Sequence, residues 1–177
     1  MEEKVNPWKS NLTNGLILGL AGVVYSLIMY FLNLSLNKSQ GYFFMIIQIV
    51  LLYFLLKSYR DNFMHGQITY GQSVGAGMVI FVYYAIIMAV FTYILYTFID
   101  TGLTAKQLAM AEDMMVKRGL PQDALDAAMA MQAKFMKPGI MSFFVLLVGV
   151  IWGTVLSLLV SIFVKKEGNP LLDTPEN

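Results

Sequence analysis

The sequence predicts an all-α fold: a transmembrane four-helix bundle with a small extramembrane helical hairpin between spans three and four. Three observations carry this reading. The 177 residues are 58% hydrophobic and 13% charged, with a mean hydropathy of +0.64, outside the usual range of a soluble globular domain. Four apolar runs approach or exceed the length needed to cross a bilayer. The only long stretch between them is polar and carries helical, not span-like, patterning.

Crossing about 30 Å of hydrocarbon takes about 20 mainly apolar residues in a helix, because lipid offers a bare backbone no hydrogen-bond partner. Span one is expected over 12–34, LTNGLILGLAGVVYSLIMYFLNL. The preceding MEEKVNPWKS carries both charge signs, the run is too long for a cleaved signal, and no small-x-small cleavage site follows it. The expectation is a retained span with Trp8 at the headgroup level. Span two, 41–57, is the shortest; Gly41 and a snorkelling Lys57 extend its core YFFMIIQIVLLYFLL, and Gln48 can bond a neighbouring helix. Spans three and four are expected over 73–99 and 139–164. Together they make one membrane domain, 1–164, with a helical loop at 100–138. The KKEGNPLLDTPEN tail, 165–177, is polar with two prolines and is expected to be disordered.

Between spans two and three lies YRDNFMHGQITYGQSVGAG, with the chain's single histidine, His65. Asp61-Asn62 and His65-Gly66 suit a turn, and Thr69 with Gln72 fits a capping box that launches span three. Lys57 and Arg60 stand where cations meet lipid phosphates. The alternative is an anion or headgroup contact by Lys57, Arg60 and His65 beside a glycine-rich helix start. No Walker lysine follows those glycines.

An even number of spans puts both ends on one side. With the termini inside, Lys4, Lys9, Lys57, Arg60, Lys165 and Lys166 are cytoplasmic, and an equal number of basic residues, Lys38, Lys106, Lys117, Arg118, Lys134 and Lys137, lie outside. Most of the inside set abuts a span, whereas Lys117 and Arg118 sit mid-loop, so termini-in is favoured.

Small residues every four positions let helix backbones approach closely in lipid. Gly15 and Gly19 have this spacing in span one, and Gly71 and Gly75 have it at the start of span three. Ser73, Gly77, Ala85 and Ala89 form a neighbouring ridge, interrupted by Phe81. Gly149, Gly153, Ser157 and Ser161 form a continuous ridge in span four. These positions are read as helix-packing residues, within one bundle or between copies.

In the loop, Thr104 with Gln107 suggests a second capping box for a helix that Gly119 ends. Pro121 and Asp123 suit the start of another helix, running to about Met136, with Leu125, Ala128, Met129, Gln132 and Met136 on one face. Methionine is dense here, and Met129 with Met131 could be read as a copper(I) pair. Adaptable apolar packing is the commoner use of such residues. In the tail, Glu167, Leu171 and Leu172 resemble an acidic dileucine signal, which has meaning only in a eukaryotic cell.

The opening NGLILGL, YRDN followed by G-x-ITYGQS, the paired-helix loop and the KK exit resemble small bacterial four-span membrane proteins grouped as a domain of unknown function. The likeness covers almost the whole chain. It implies a bacterial cytoplasmic-membrane protein and carries over no catalytic residues.

Composition narrows the chemistry. A net charge of +1 with scattered basic residues excludes nucleic acid as a partner, and zero cysteines remove disulfides, thiolate nucleophiles and cysteine-held metal clusters. The span interiors contain no Asp, Glu, Lys, Arg or His, the residues that mark ion paths and proton relays. No catalytic, metal or cofactor site is expected. The reading is a non-enzymatic module working through helix packing, with the bilayer and a second copy or other membrane proteins as partners. A transporter or channel lined by Gln48, Tyr83, Tyr84, Thr92, Tyr93, Tyr96 and Thr154 is the alternative. A lipid enzyme would have to use Asp61, His65 and Arg60.

Overall fold

A computed structural model describes residues 5–35, 37 and 39–167. In chain order it contains α1 (Pro7–Ser10), α2 (Leu12–Phe31), α3 (Ser39–Phe63), α4 (Tyr70–Ile94), α5 (Leu103–Lys117), α6 (Gln122–Phe135) and α7 (Pro138–Val164). Four of these, α2, α3, α4 with its extension to Ile99, and α7, are long and apolar enough to cross a membrane. The fold is therefore the expected all-α four-span architecture with a helical hairpin, α5–α6, between the third and fourth spans. Lys4, Lys38, Leu171, Leu172 and most of the expected tail lie outside the described residues.

The helix ends show which local signals prevail. Helix α2 stops at Phe31, before the expected Leu34, where Asn33 takes a left-handed φ of 56°. Helix α3 runs on past Lys57 to Phe63, so Asp61 and Asn62 are helical and not in the turn. The reversal falls instead at His65 and Gly66, with φ of 52° and 79°, and the Gly66 N–H closes the helix by donating to the Arg60 carbonyl at 3.0 Å. The Thr69–Gln72 capping box forms in both directions at the start of α4. The second box does not: α5 begins two residues earlier, its N-cap is Gly102, and Gln107 donates to the Tyr96 hydroxyl at 2.6 Å instead. Pro121 is the N-cap of α6, and Gly119, at φ 73°, ends α5 as expected. At the far end of α4 a π-helical turn spans Leu95–Ile99, closed by the Asp100 N–H on the Leu95 carbonyl at 2.8 Å.

Helix α4 is the centre of the bundle. It packs most extensively on α7, then on α2, while α3 lies against α7, α2 and α4. The α4–α7 contact has a regular antiparallel register. A Cβ built on Gly149 would sit 3.0 Å from the Ala85 Cβ, one on Gly153 would collide with the Phe81 ring, and one on Gly77 would collide with the Ser157 side chain. Each pairing moves four residues up one helix and four down the other. The same register sets Ser73 opposite Ser161, and both are fully buried. Phe81, which interrupts the small-residue ridge in sequence, is a knob seated in the notch that Gly153 leaves. The α2–α4 contact is parallel: Gly15 lies against Tyr83 and Gly19 against Ile87, and a Cβ on Gly22 would be 2.8 Å from the Met88 sulfur.

The core gathers Leu18 from α2, Leu52, Leu55, Leu56 and Tyr59 from α3, Ile80, Phe81 and Tyr84 from α4, and Leu156, Val160 and Val164 from α7. Burial along α3 begins at Gln48, and burial along α7 begins at Gly153. Toward the hairpin end, Phe43, Ile46 and Ile47 of α3 and Phe143, Leu147 and Val148 of α7 are exposed. The two helices therefore part company over that half of the bundle.

A polar knot joins the N-terminal turn to the spans. Asn14 Nδ2 donates to Asn11 Oδ1 at 3.0 Å and to the Leu55 carbonyl at 3.4 Å, and Asn11 Nδ2 donates to the Pro7 carbonyl at 3.0 Å. Asn11 is fully buried.

Two stability predictions follow from this packing. Gly153→Leu should lower thermal stability in detergent by about 3 kcal/mol or more, because Phe81 has nowhere to go, whereas Leu158→Ala on the exposed flank should change it by under about 1 kcal/mol. Asn11→Ala should cost about 1–3 kcal/mol by leaving buried polar atoms unpaired, measured by the same melting experiment.

Candidate functional site

Three regions carry the expected site residues. The first is the seam. Gly15, Gly19, Gly77, Gly149 and Gly153 all lie against a neighbouring helix, as does Ser157, whose hydroxyl donates to the Gly153 carbonyl of its own helix at 2.6 Å. Ser161 is buried there too; its hydroxyl and that of Ser73 have no hydrogen-bond partner among the described residues. Gly71 and Gly75 differ. A Cβ at either would meet nothing within 4 Å, so neither brings helices together in this chain. They lie on the side of α4 turned away from the seam, which is set by Ser73 and Gly77 two residues along. Gly22, which the four-residue spacing overlooks, does belong to the α2–α4 contact; it sits three residues after Gly19, the other step that stays on one helix face.

The second region is the end of the bundle that carries both termini. Arg60 was expected to face a lipid phosphate or anion. Its Nε instead pairs with Asp61 at 2.8 Å, and its Nη1 donates to the Val164 carbonyl, the last of α7, at 3.1 Å. The guanidinium thereby caps one span with the end of another. Beside it Ile68 and Lys166 exchange two backbone hydrogen bonds, 2.9 and 3.0 Å, an isolated antiparallel bridge. The first residues after α7 are thus pinned to the α3–α4 turn. Lys57 and His65 are exposed. Asp61 is engaged by Arg60 and not by His65, so the geometry assembles no acid–base pair from the three residues a lipid enzyme would use.

The third region, at the hairpin end, has no counterpart in the sequence reading. Asp100 accepts from the Gly102 N–H at 3.0 Å, from Lys106 Nζ at 3.2 Å and from the Tyr30 hydroxyl at 3.4 Å. It ties α2, the π-turn and α5 together beside a cavity of about 320 Å³ that Asn33, Ser35 and Leu103 also line. Burial pushes the Asp100 carboxyl up, but the hydrogen bonds from Lys106 and the Gly102 N–H, with the Lys106 charge and the Tyr30 hydroxyl, outweigh it and hold the group below the usual carboxylate range. A lone Asp after a span and a Lys six residues on give no periodic signal, because it is the turn from Asp100 into α5 that brings them together.

Three polar side chains within the spans each bond a single carbonyl. Tyr83 donates to the Trp8 carbonyl at 3.3 Å, Tyr25 to the Gln40 carbonyl at 2.7 Å and Thr154 to the Val150 carbonyl of its own helix at 2.9 Å. Gln48 faces the Tyr84 hydroxyl. Trp8 is half-exposed and packs edge-on to Tyr83, with ring centroids 5.9 Å apart. Met129 and Met131, two residues apart on α6, point to different faces, with Met131 exposed and Met129 half-buried. Among the described residues no group of three or more His, Asp or Glu is placed to hold a metal ion.

Four hydrophobic helices knit by small-residue contacts define a multi-pass helical membrane protein. Residues 13–166 match the family described as "Protein of unknown function (DUF4199)", and the chain belongs to that family. This is the kind of grouping that its motifs imply. No curated protein and no solved structure matches it.

The Asp100 attachment gives a pH prediction. A carboxyl held low contributes its stabilisation fully above the ordinary aspartate value of about 3.9 and loses it only as pH falls through the depressed native value. Hydrogen exchange of the Gly102 amide, corrected for intrinsic rate, should show equal protection at pH 6 and 8. Asp100→Ala should reduce that protection about tenfold at neutral pH.

Proposed function

We propose that this chain is a non-enzymatic membrane interaction module, an accessory or envelope-assembly subunit of a bacterial cytoplasmic membrane with both termini in the cytoplasm. The observation that supports the reading is that Tyr83, Tyr25 and Thr154 in the spans each meet a backbone carbonyl and not a shared aqueous path. A conduit needs polar faces aligned on one lumen. Here the centre of the bundle is occupied by Phe81, Ile80 and Leu156, all essentially inaccessible, so a transporter reading draws less support.

Orientation rests on the basic residues beside the span ends. Lys9, Lys57, Arg60, Lys165 and Lys166 belong to the half of the chain's connections that carries the termini, with Arg60 and Lys166 held at the α3–α4 turn and the end of α7, where cytoplasmic lipid phosphates favour them. Lys57 and His65 are the exposed headgroup contacts in this reading, and Arg60 contributes by holding α3 to α7. The outward side of α4, with Gly71 and Gly75 unobstructed and Met78 exposed, is the surface offered to a second copy or another membrane protein.

Photo-crosslinking in native membranes tests this. A benzophenone side chain in place of Met78 should give one or two discrete protein adducts, at least fivefold stronger than the same probe at Leu158. Equal labelling at both positions, together with solute flux through reconstituted vesicles, would reject the interaction reading in favour of transport.

A further inference from the structure

The half of the bundle where α3 and α7 separate contains a lateral cleft of about 370 Å³, walled by Phe44 of α3 and Val148 and Trp152 of α7, and floored by Tyr84 and Met88 of α4. Its origin lies in the burial pattern: the fully buried positions of α3 begin at Gln48 and those of α7 at Gly153. Above those points α7 still touches α4, because Gly149 lets Ala85 approach. The floor is therefore closed while the two walls stand apart. Gln48 and Tyr84 mark the inner end of the cleft, facing each other.

The cleft opens sideways. Its wall residues Phe144, Val148 and Trp152 are themselves exposed, as are Phe43 and Ile47 of α3 and Ile151 of α7 nearby in sequence. Among the described residues no Asp, Glu, Lys, Arg or His lines the cleft, which favours an apolar occupant. Among apolar occupants, the surrounding bilayer supplies the nearest: the exposed walls Phe144, Val148 and Trp152 face the lipid that surrounds the spans. A single hydrocarbon chain can lie along the cleft from its lipid-facing mouth and bury methylenes against the aromatic and aliphatic walls.

We propose that the α3–α7 cleft is a binding site for one acyl chain of a phospholipid from the leaflet on the hairpin side. The seated chain completes the bundle where α3 does not reach α7. The Phe135 ring of α6 meets Phe144, a further wall residue, with centroids 5.8 Å apart and planes at 66°, so the base of the hairpin stands over the mouth. The site is independent of the interaction reading above.

Tryptophan quenching tests it, using the full chain. Trp8→Phe leaves Trp152, on the cleft wall, as the only tryptophan. In detergent micelles doped with phosphatidylcholine brominated at mid-chain, Trp152 fluorescence should be quenched saturably at about one lipid per protein. Val148→Phe, at an exposed wall position, should raise the half-saturating lipid at least tenfold by filling the cleft. Ile151→Phe, on the flank outside it, should change that value less than twofold. Met88→Phe gives the same expectation from the floor if Val148→Phe does not fold. Quenching that grows linearly without saturation in the parent protein, or that is equally strong in the filled variants, overturns the proposal. A disulfide-linked dimer through Val148→Cys in place of saturable quenching would give the cleft to a second copy and overturn it as well.

Discussion

The structure depends on how closely α4 can approach α7. In lipid, two apolar helices gain nothing by leaving hydrocarbon for each other, so association must come from dispersion contacts that reach further than lipid tails can. Glycine and serine at Gly77, Gly149, Gly153 and Ser157 supply that reach. Phe81 then uses the space, fully buried against Gly153. One large side chain opposite one missing side chain gives a register as well as an attraction, because a slip of either helix drives the ring into backbone. The α2–α4 contact repeats the device with Tyr83 and Ile87 against Gly15 and Gly19. Helix α4 can therefore hold two partners on different faces, and α3 is left to close what remains.

Around this apolar frame the polar groups sit where backbone would otherwise be unsatisfied. Arg60 finishes α7, the Ile68–Lys166 bridge joins a turn to the exit of the last span, Asn11 and Asn14 fasten the entry of α2, and Asp100 fastens the far end of α4. The arrangement is economical in charge: two carboxylates, Asp61 and Asp100, with Arg60 and Lys106, secure opposite ends. Apart from Lys57 near the end of α3, the spans between are neutral, which suits a segment immersed in hydrocarbon.

The spans and the hairpin were legible because each rests on a run of many residues, where hydropathy and helical period accumulate. The seam was half legible. Spacing of four located Gly149, Gly153, Ser157 and Ser161, but a single chain's spacing says nothing about which side chain stands opposite, so Phe81 read as an interruption when it is the matching knob. Gly71 and Gly75 share the spacing and lack the neighbour. Signals that rest on two residues fared unevenly: the Thr69–Gln72 box forms, whereas Gln107 is drawn to Tyr96 by a π-turn that no local pattern announces. Arg60 read as a lipid contact because sequence distance hides the end of α7, 104 residues further on.

The order in which the seam is assembled has a consequence for biogenesis. Helix α7 is the last of the four spans to leave the ribosome, and α5 and α6 come before it. During that interval α4 resides in the bilayer with Ser73, Gly77 and Phe81 turned toward lipid, its widest contact unmade. Three spans inserted on schedule thus leave that face to acyl chains, and arrival of the fourth must expel them before the ring of Phe81 can settle against Gly153.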